Sequence, residues 1–169
     1  MDAADFLVLY EYNAWANRRM LEACSLLTPD QFVQDMKSSF TSVRDTLAHI
    51  YGAEFIWLAR WNSRVPSALP APADFPMFES IRSKLTGIDR SLIDFVARLT
   101  PETLSRDLQY KMTNGTPQSG PLGPMLQHVA NHGTYHRGQV TTMLRQLGRK
   151  AVSTDLIYYH RELAARATA

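Results

Sequence analysis

Three histidines recur at four-residue intervals within residues 126–147, and imidazole is a common ligand of divalent metals. His128, His132 and His136 would stack along one side of a helix, because four residues advance a helix by slightly more than one turn. His136 projects about 20° from the centre of the apolar stripe, His132 about 60° and His128 about 100°. The stripe itself comprises Leu126, Val129, His136, Val140, Met143, Leu144 and Leu147. We therefore expect His132 and His136 to face the core and His128 to lie at its margin.

Two inward imidazoles on one helix have two explanations. A core histidine is usually hydrogen-bonded and inert, but two neutral imidazoles one turn apart are costly to bury unless something accepts their lone pairs. A divalent metal does so directly, since histidines at i and i+4 reach one ion through bonds of about 2.0–2.1 Å. His128 and His136 are about 12 Å apart along the helix axis, so a third ligand is expected from elsewhere in the chain.

His49 is the preferred third ligand, because it lies on another long predicted helix. That helix begins at Ser42, where Ser42 and Asp45 resemble a capping box. Its apolar seam contains Val43, Leu47, Ile50, Glu54, Trp57 and Trp61. His49 lies roughly 120° from the seam, on a flank that faces a neighbouring helix in a bundle, and it can equally be a surface histidine. His160, near the end of the chain, is the less favoured choice.

Helical periodicity elsewhere predicts an all-α fold. Apolar residues recur at helical spacing in residues 5–27, 43–61, 77–99 and 126–147, which predicts the four long helices of a four-helix bundle. Short helices are expected at 30–34 and, after a cap at residues 153–155, at about 156–165. Four prolines between residues 62 and 76 predict a long extended connection, and Asn114-Gly115 predicts a type I′ turn in a short hairpin.

Composition limits the class of protein. With 169 residues, 45% of them hydrophobic, the chain is long enough for one domain, residues 1–169, with its own core. The one cysteine, Cys24, excludes a disulfide framework, favours a cytoplasmic location and is expected to be a core residue rather than a nucleophile. No apolar run approaches the roughly 20 residues of a membrane span, and no export signal is expected. A net charge of +2 without a basic face makes nucleic-acid binding the least favoured function.

Several motifs together resemble the DinB family of the DinB/YfiT-like metalloenzymes. They are Asn-Ala-Trp-Ala-Asn at residues 13–17, Leu-Ala-His at 47–49, Asn-His-Gly-Thr-Tyr-His-Arg-Gly-Gln at 131–139, and Ser-Thr-Asp at 153–155 followed by Tyr158 and Arg161. The resemblance spans nearly the whole chain. It implies a four-helix bundle of up-down-down-up topology, frequently dimeric, in which three histidines hold one divalent metal. Matched by position, those ligands are His49, His132 and His136, which agrees with the helical-face argument.

The resemblance also implies chemistry. Three imidazoles leave a coordination position for water or substrate, as in catalytic sites. Relatives in the superfamily include thiol-dependent S-transferases and a mycothiol-dependent isomerase, which favours a metal-dependent transferase or hydrolase that activates a small external thiol or water. The alternative is a non-catalytic metal-binding or stress-response module, in which a protein side chain such as Glu54 or His160 fills the open position or the position is unused. Zinc or nickel is the expected metal, and the expected partners are a small-molecule substrate and a second copy of the chain, without nucleic acid or membrane.

Side chains near the three histidines in helical register are candidates for orienting them through hydrogen bonds. These are Glu54, His128, Asn131 and Gln139. Tyr135 and Arg137 project about 100° or more from the core direction and are expected to face solvent or a dimer partner. Trp57 and Trp61 are expected to be core or interface aromatics.

Overall fold

Four long helices dominate the computed structural model, which describes residues 1–66 and 68–168. In chain order the elements are α1 (Ala3–Cys24), α2 (Pro29–Val33), α3 (Val43–Trp61), α4 (Phe78–Val96), α5 (Pro101–Ser105), β1 (Asp107–Lys111), β2 (Pro117–Pro121), α6 (Leu122–Gln146) and α7 (Leu156–Ala167), with a 3-10 turn at Pro72–Asp74. The fold is thus mostly helical with one small two-stranded sheet. Among the described residues, every helix is too short or too polar to cross a bilayer.

The long helices pack in a closed cycle. α1 contacts α4 and α6, and α3 contacts the same two helices. Each helix buries its apolar stripe in the shared core: Leu47 and Ile50 of α3, Leu85 and Leu92 of α4, and Leu126 of α6 are all fully buried. Burial of one such side chain contributes roughly 1.5–3 kcal/mol. Because α3 and α6 are neighbours, side chains on their facing flanks meet.

Helix ends follow local signals in the sequence. Ser42 caps α3 as predicted, since its hydroxyl accepts a hydrogen bond from the Asp45 amide at 3.1 Å. The reciprocal bond of a capping box is not formed, because the Asp45 carboxylate accepts from the Thr41 hydroxyl instead. α6 ends just before Gly148, whose positive φ of 69° turns the chain so that the next amide, that of Arg149, donates to the Leu144 carbonyl at 2.8 Å. α7 begins where the sequence predicts it, but the Asp155 side chain makes no capping bond to that helix.

The predicted hairpin forms, but its turn type differs from the prediction. Strands β1 and β2 pair antiparallel on either side of Asn114-Gly115. Gly115 has a φ of 84°, whereas Asn114 does not have a positive φ angle, and a type I′ turn requires both. Instead the Gly115 amide donates to the Met112 carbonyl at 2.9 Å, and the Asn114 side chain accepts from the Thr116 amide at 3.1 Å. This side-chain bond stabilises a longer loop in which only the glycine is left-handed.

α7 is held against α1 by aromatic side chains. Trp15 of the Asn-Ala-Trp-Ala-Asn motif lies 5.7 Å from Tyr159 and 6.2 Å from Tyr12, measured between ring centroids. Its indole N–H donates to the Glu162 carboxylate at 2.9 Å. The tryptophan of this motif therefore attaches the last helix to the first.

Candidate metal centre

Three imidazoles from two helices meet between α3 and α6. His49 on α3 and His132 and His136 on α6 each offer one ring nitrogen, and these three atoms lie within 4.8 Å of one another. The Nε2 atoms of His49 and His132 are 2.9 Å apart. Ring centroids are 4.3 Å apart for His132 and His136, and 4.5 Å apart for His49 and His136. The structure thus brings together the three residues that the sequence selected as ligands.

The environment of His49 and His132 disfavours the charged form of these two rings. His136 is buried, whereas His49 and His132 are half-buried. Burial, aided by the nearby His136, lowers the pKa of His49 to about 4. Burial and the neighbouring imidazoles lower the pKa of His132 to about 3. At neutral pH the imidazoles of His49 and His132 therefore carry no charge, and each keeps a nitrogen lone pair that can bind a cation.

Gln139 fixes the orientation of His136. The side-chain carbonyl oxygen of Gln139 lies 2.7 Å from His136 Nδ1, and since this oxygen can only accept, Nδ1 must carry the proton. Nε2 is therefore the nitrogen of His136 that remains available to a metal. A hydrogen bond from the second ring nitrogen is the usual support of a metal-binding histidine. Of the four candidates for this orienting role, Gln139 is the one that hydrogen-bonds to one of the three imidazoles.

Phe40 covers one side of the cluster and was missed by sequence reasoning. Its ring stacks on His49 with centroids 4.0 Å apart and an interplanar angle of 23°, and it meets the edge of His136 at 5.4 Å. Phe40 lies in the connection between α2 and α3, where no periodicity marks it. The connection is closed by a 2.7 Å bond from the Met36 amide to the Thr41 carbonyl.

Arg137 does not face solvent, which corrects the expectation for this residue. Its side chain is fully buried. One terminal nitrogen, Nη1, donates to the side-chain oxygen of Asn13 at 2.6 Å and to that of Asn17 at 3.0 Å, while Nη2 donates to the Thr134 hydroxyl at 2.9 Å. The flank of α6 that bears Arg137 faces α1, and the two asparagine oxygens replace water around the guanidinium. Tyr135, by contrast, is 65% exposed, as expected.

Two buried carboxyl groups complete this network. Glu54 accepts from the Asn13 amide at 2.8 Å, and Asp89 accepts from the Asn17 amide at 2.9 Å. Burial raises the pKa of Glu54. Burial, and then the charge of Glu54, raise the pKa of Asp89 well above its ordinary value. The two asparagines of α1 therefore bridge one buried cation and two buried carboxyl groups, and link α1 to α3, α4 and α6.

The other histidines lie outside the three-ring cluster. His128 is exposed, with its ring centroid 5.9 Å from His132 and 5.6 Å from Trp57. His160 is exposed on α7 beside Tyr159. Glu54 belongs to the asparagine network. Neither Glu54 nor His160 is one of the three residues whose ligand atoms meet.

The donor set suits a divalent transition metal. Three imidazole nitrogens lie within reach of one another, one ring being oriented by an amide, and such a set could hold one divalent transition metal. Cys24 does not contribute, because it is buried in the core, as the sequence predicted. Trp57 and Trp61 are also placed as expected, with Trp61 buried and Trp57 packed against the core.

Comparisons with known proteins identify the family. The sequence model of the DinB family matches residues 1–166. The protein named DinB of Bacillus subtilis (strain 168) is 29% identical over 158 residues, which cover 89% of this chain and 91% of that protein. The uncharacterized protein YizA of the same strain is 22% identical over 151 residues, covering 88% and 91%. The crystal structure of a DinB-like protein from Bacillus cereus ATCC 10987 has the same fold, with a TM-score of 0.67, 19% identity and coverage of 88% and 94%. The chain belongs to the DinB family.

Proposed function

We propose that this protein binds one divalent transition metal, zinc or nickel, through His49, His132 and His136. We further propose that it is a metal-dependent enzyme of the transferase or hydrolase type. The observation that carries the proposal is the convergence of three ring nitrogens within 4.8 Å from two separate helices. Core histidines that cluster by chance need not direct their ring nitrogens toward one point, whereas the ligands of a metal must do so.

The surrounding residues prepare these imidazoles for metal binding. Gln139 holds His136 with Nε2 free. Phe40 stacks on His49, which limits water around that ring and keeps it neutral. His49 and His132 are half-buried, so one side of the cluster is accessible to a small molecule. The chain thus supplies nitrogen donors that are held in place and accessible from outside.

A divalent cation held by His49, His132 and His136 would supply Lewis acidity, which lowers the pKa of water or a thiol and so makes a nucleophile available at neutral pH. The nucleophile has to come from outside the chain. Cys24 is 1% exposed, and burial raises the pKa of its thiol to about 12, so it is neither accessible nor ionised. We therefore favour a small external thiol or water.

Other features expected from the resemblance are proposed with this function. The cycle of contacts among α1, α4, α3 and α6 supports a four-helix bundle, for which we propose the up-down-down-up topology. A homodimer, a cytoplasmic location, and a small-molecule partner rather than nucleic acid or membrane all stay predictions. The competing function is a non-catalytic metal-binding or stress-response module, in which a fourth protein ligand closes the site or the open position is unused.

Metal analysis of protein purified without a histidine tag tests the proposal. We expect about one equivalent of metal in the wild type and loss of that metal in His132→Ala. His128→Ala is the matched control, because the His128 imidazole lies one turn away on the same helix but outside the cluster. This variant should retain the metal. Full metal content in His132→Ala would show that this ligand is wrongly assigned.

The catalytic part of the proposal needs an activity measurement. Chloro- and epoxide electrophiles are incubated with several cellular thiols and the metal-loaded protein, with His132→Ala as the reference. Metal-dependent turnover of one combination supports the enzyme. If the protein holds one equivalent of metal but neither water nor an added thiol reaches that metal, the result favours the binding module.

A further inference from the structure

A groove outside the histidine centre lies between the C-terminal end of α3, the segment that follows it, and the β1–β2 hairpin. Its volume is about 910 Å³, within the range of about 300–1,000 Å³ typical of sites for small organic molecules. Arg60 and Arg64 line it from one side, and Tyr110, Lys111 and Met112 of the hairpin line it from the other. The three ligand histidines do not line this groove.

The charged residues that line the groove are all cationic. Arg60, Arg64 and Lys111 lie there without any acidic lining residue, and in the described part of the chain none of the three forms an ion pair. The Arg60 guanidinium lies 4.8 Å from the ring centroid of Trp57 and 5.1 Å from that of Tyr110. Partial burial lowers the pKa of Arg60, as expected for a cation that has lost water without gaining an anion. The groove is therefore complementary to a negative charge.

Large apolar side chains are exposed in the same groove. Val65, Leu69 and Met112 line it, with 87%, 45% and 44% of their surface exposed. Ser63 has a left-handed backbone with a φ of 55°, which turns the chain sharply at the end of α3 and so forms this side of the groove. Apolar residues exposed together in a concave surface favour a ligand with an apolar body.

Trp57 links the groove to the histidine centre. Its ring centroid is 5.2 Å from that of Tyr110 in the groove and 5.6 Å from that of His128. The His128 ring is in turn 5.9 Å from His132. Along this row of rings, two side chains separate the groove from the cluster.

We propose that the groove binds an amphipathic organic anion, a carboxylate with an apolar body. The guanidinium groups of Arg60 and Arg64 and the ammonium group of Lys111 pair with the carboxylate. Leu69 and Met112 contact the apolar part. Binding in the groove stands on the observations above. The additional step, that the bound anion is a substrate whose other end reaches the histidine centre, rests on the function proposed in the preceding section.

Methyl NMR of the full chain, labelled at its methionines, tests the binding directly. Octanoate is the probe, octylamine its cationic counterpart, and 1-octanol its neutral counterpart. We expect octanoate to shift the Met112 methyl signal saturably. Met1 and Met77 are exposed by 58% and 69% but lie outside the groove, so they report non-specific binding. Octanol should bind at least about ten-fold more weakly, because it lacks the charge-assisted hydrogen bonds, and octylamine should give no saturable shift at Met112.

Variants assign the charge recognition to specific side chains. Arg60→Gln and, separately, Lys111→Gln should each raise the dissociation constant of octanoate about ten-fold. Arg90→Gln, which removes an exposed cation on α4 outside the groove, should leave it unchanged. The exposed Lys111 keeps the test valid if Arg60→Gln fails to fold.

Three results would overturn the proposal. They are shifts at Met77 equal to those at Met112, equal affinities for octanoate and octylamine, and displacement of octanoate by a single-stranded oligonucleotide that binds more tightly. The measurement is repeated with metal-free protein and with His132→Ala, where octanoate should still bind. Groove binding and metal binding can thus fail independently of each other.

Discussion

The contact between Gly133 and the buried network makes a quantitative prediction. A methyl group added at Gly133 would lie 2.9 Å from Arg137 Nη1 and 2.9 Å from the Asn13 side-chain oxygen, two atoms that are themselves joined by a 2.6 Å hydrogen bond. All three residues are buried. Gly133→Ala must therefore move at least one partner of that bond.

Two opposing effects set the expected magnitude. Alanine favours a helix over glycine by about 1 kcal/mol. Overpacking of a buried site costs about 1–3 kcal/mol, and weakening a hydrogen bond to a charged group costs about 1.5–3 kcal/mol more. The net loss of unfolding free energy is then about 1.5–5 kcal/mol.

Urea unfolding followed by circular dichroism measures this loss against a matched control. Gly138 lies on the same helix, and a methyl group there meets nothing within 4 Å. Gly138→Ala should therefore stabilise the protein by roughly 0.5–1 kcal/mol. Both substitutions add one methyl group to the same helix, and they should change the free energy of unfolding in opposite directions. Equal stabilisation by both would refute the placement of Arg137 inside the fold.

Three further predictions concern the network and the cover of the histidine cluster. Arg137→Met leaves two asparagine oxygens and two carboxyl groups buried without their cation and should cost about 3–5 kcal/mol, whereas Arg90→Met at the surface should change stability by less than about 0.5 kcal/mol. The pKa of Asp89 is raised in the folded protein, so the folded state keeps this proton at pH values where the unfolded state has lost it. The contribution of Asp89 to the free energy of unfolding is therefore greatest below about pH 4 and is lost as the pH rises. Asp89→Asn should remove this pH-dependent loss. Urea unfolding at several pH values measures it, and an equal change of unfolding free energy with pH in the wild type and in Asp89→Asn would contradict the reasoning. Phe40→Ala should raise the pKa of His49 from about 4 toward its ordinary value, because burial is the main cause of the low value; an unchanged NMR titration of the metal-free protein would contradict this.

The buried network gives the Asn-Ala-Trp-Ala-Asn motif a physical role. Asn13 and Asn17 each contact both a carboxyl group and Arg137, so they fix α6 against α1. Arg137 directly follows His136 in the chain. Once its guanidinium is fixed toward α1, His136 is directed to the side of α6 that faces α3. The motif thus positions one proposed ligand without contacting it.

Much of the fold follows from the sequence because apolar periodicity reports which face of each helix is buried. The long helices lie where that periodicity places them, and the hairpin surrounds Asn114-Gly115. The convergence of His132 and His136 follows from their four-residue spacing. The turn type was wrong because the Asn114 side chain bonds to the backbone, an interaction that propensity does not specify.

The rest of the site depends on contacts between distant segments. Arg137 was expected at the surface because a helical wheel takes its angles from one apolar stripe, and α6 has a second, polar face buried against α1. Phe40 lies in a connection without periodicity, so nothing in its neighbourhood indicates that it reaches His49. The groove forms between Arg60 and Tyr110, which are far apart in the sequence and meet only in the folded chain.

The affinity of His49→Ala for zinc tests the central claim most directly, because His49 is the one proposed ligand that comes from α3. Competition with a chromophoric chelator, using protein without a histidine tag, measures it for the wild type, for His49→Ala and for the control His128→Ala. We expect one tight site in the wild type and in His128→Ala, and at least about a hundred-fold weaker binding in His49→Ala, because that variant loses one of three ligands. Equal affinity in His49→Ala and the wild type would contradict it.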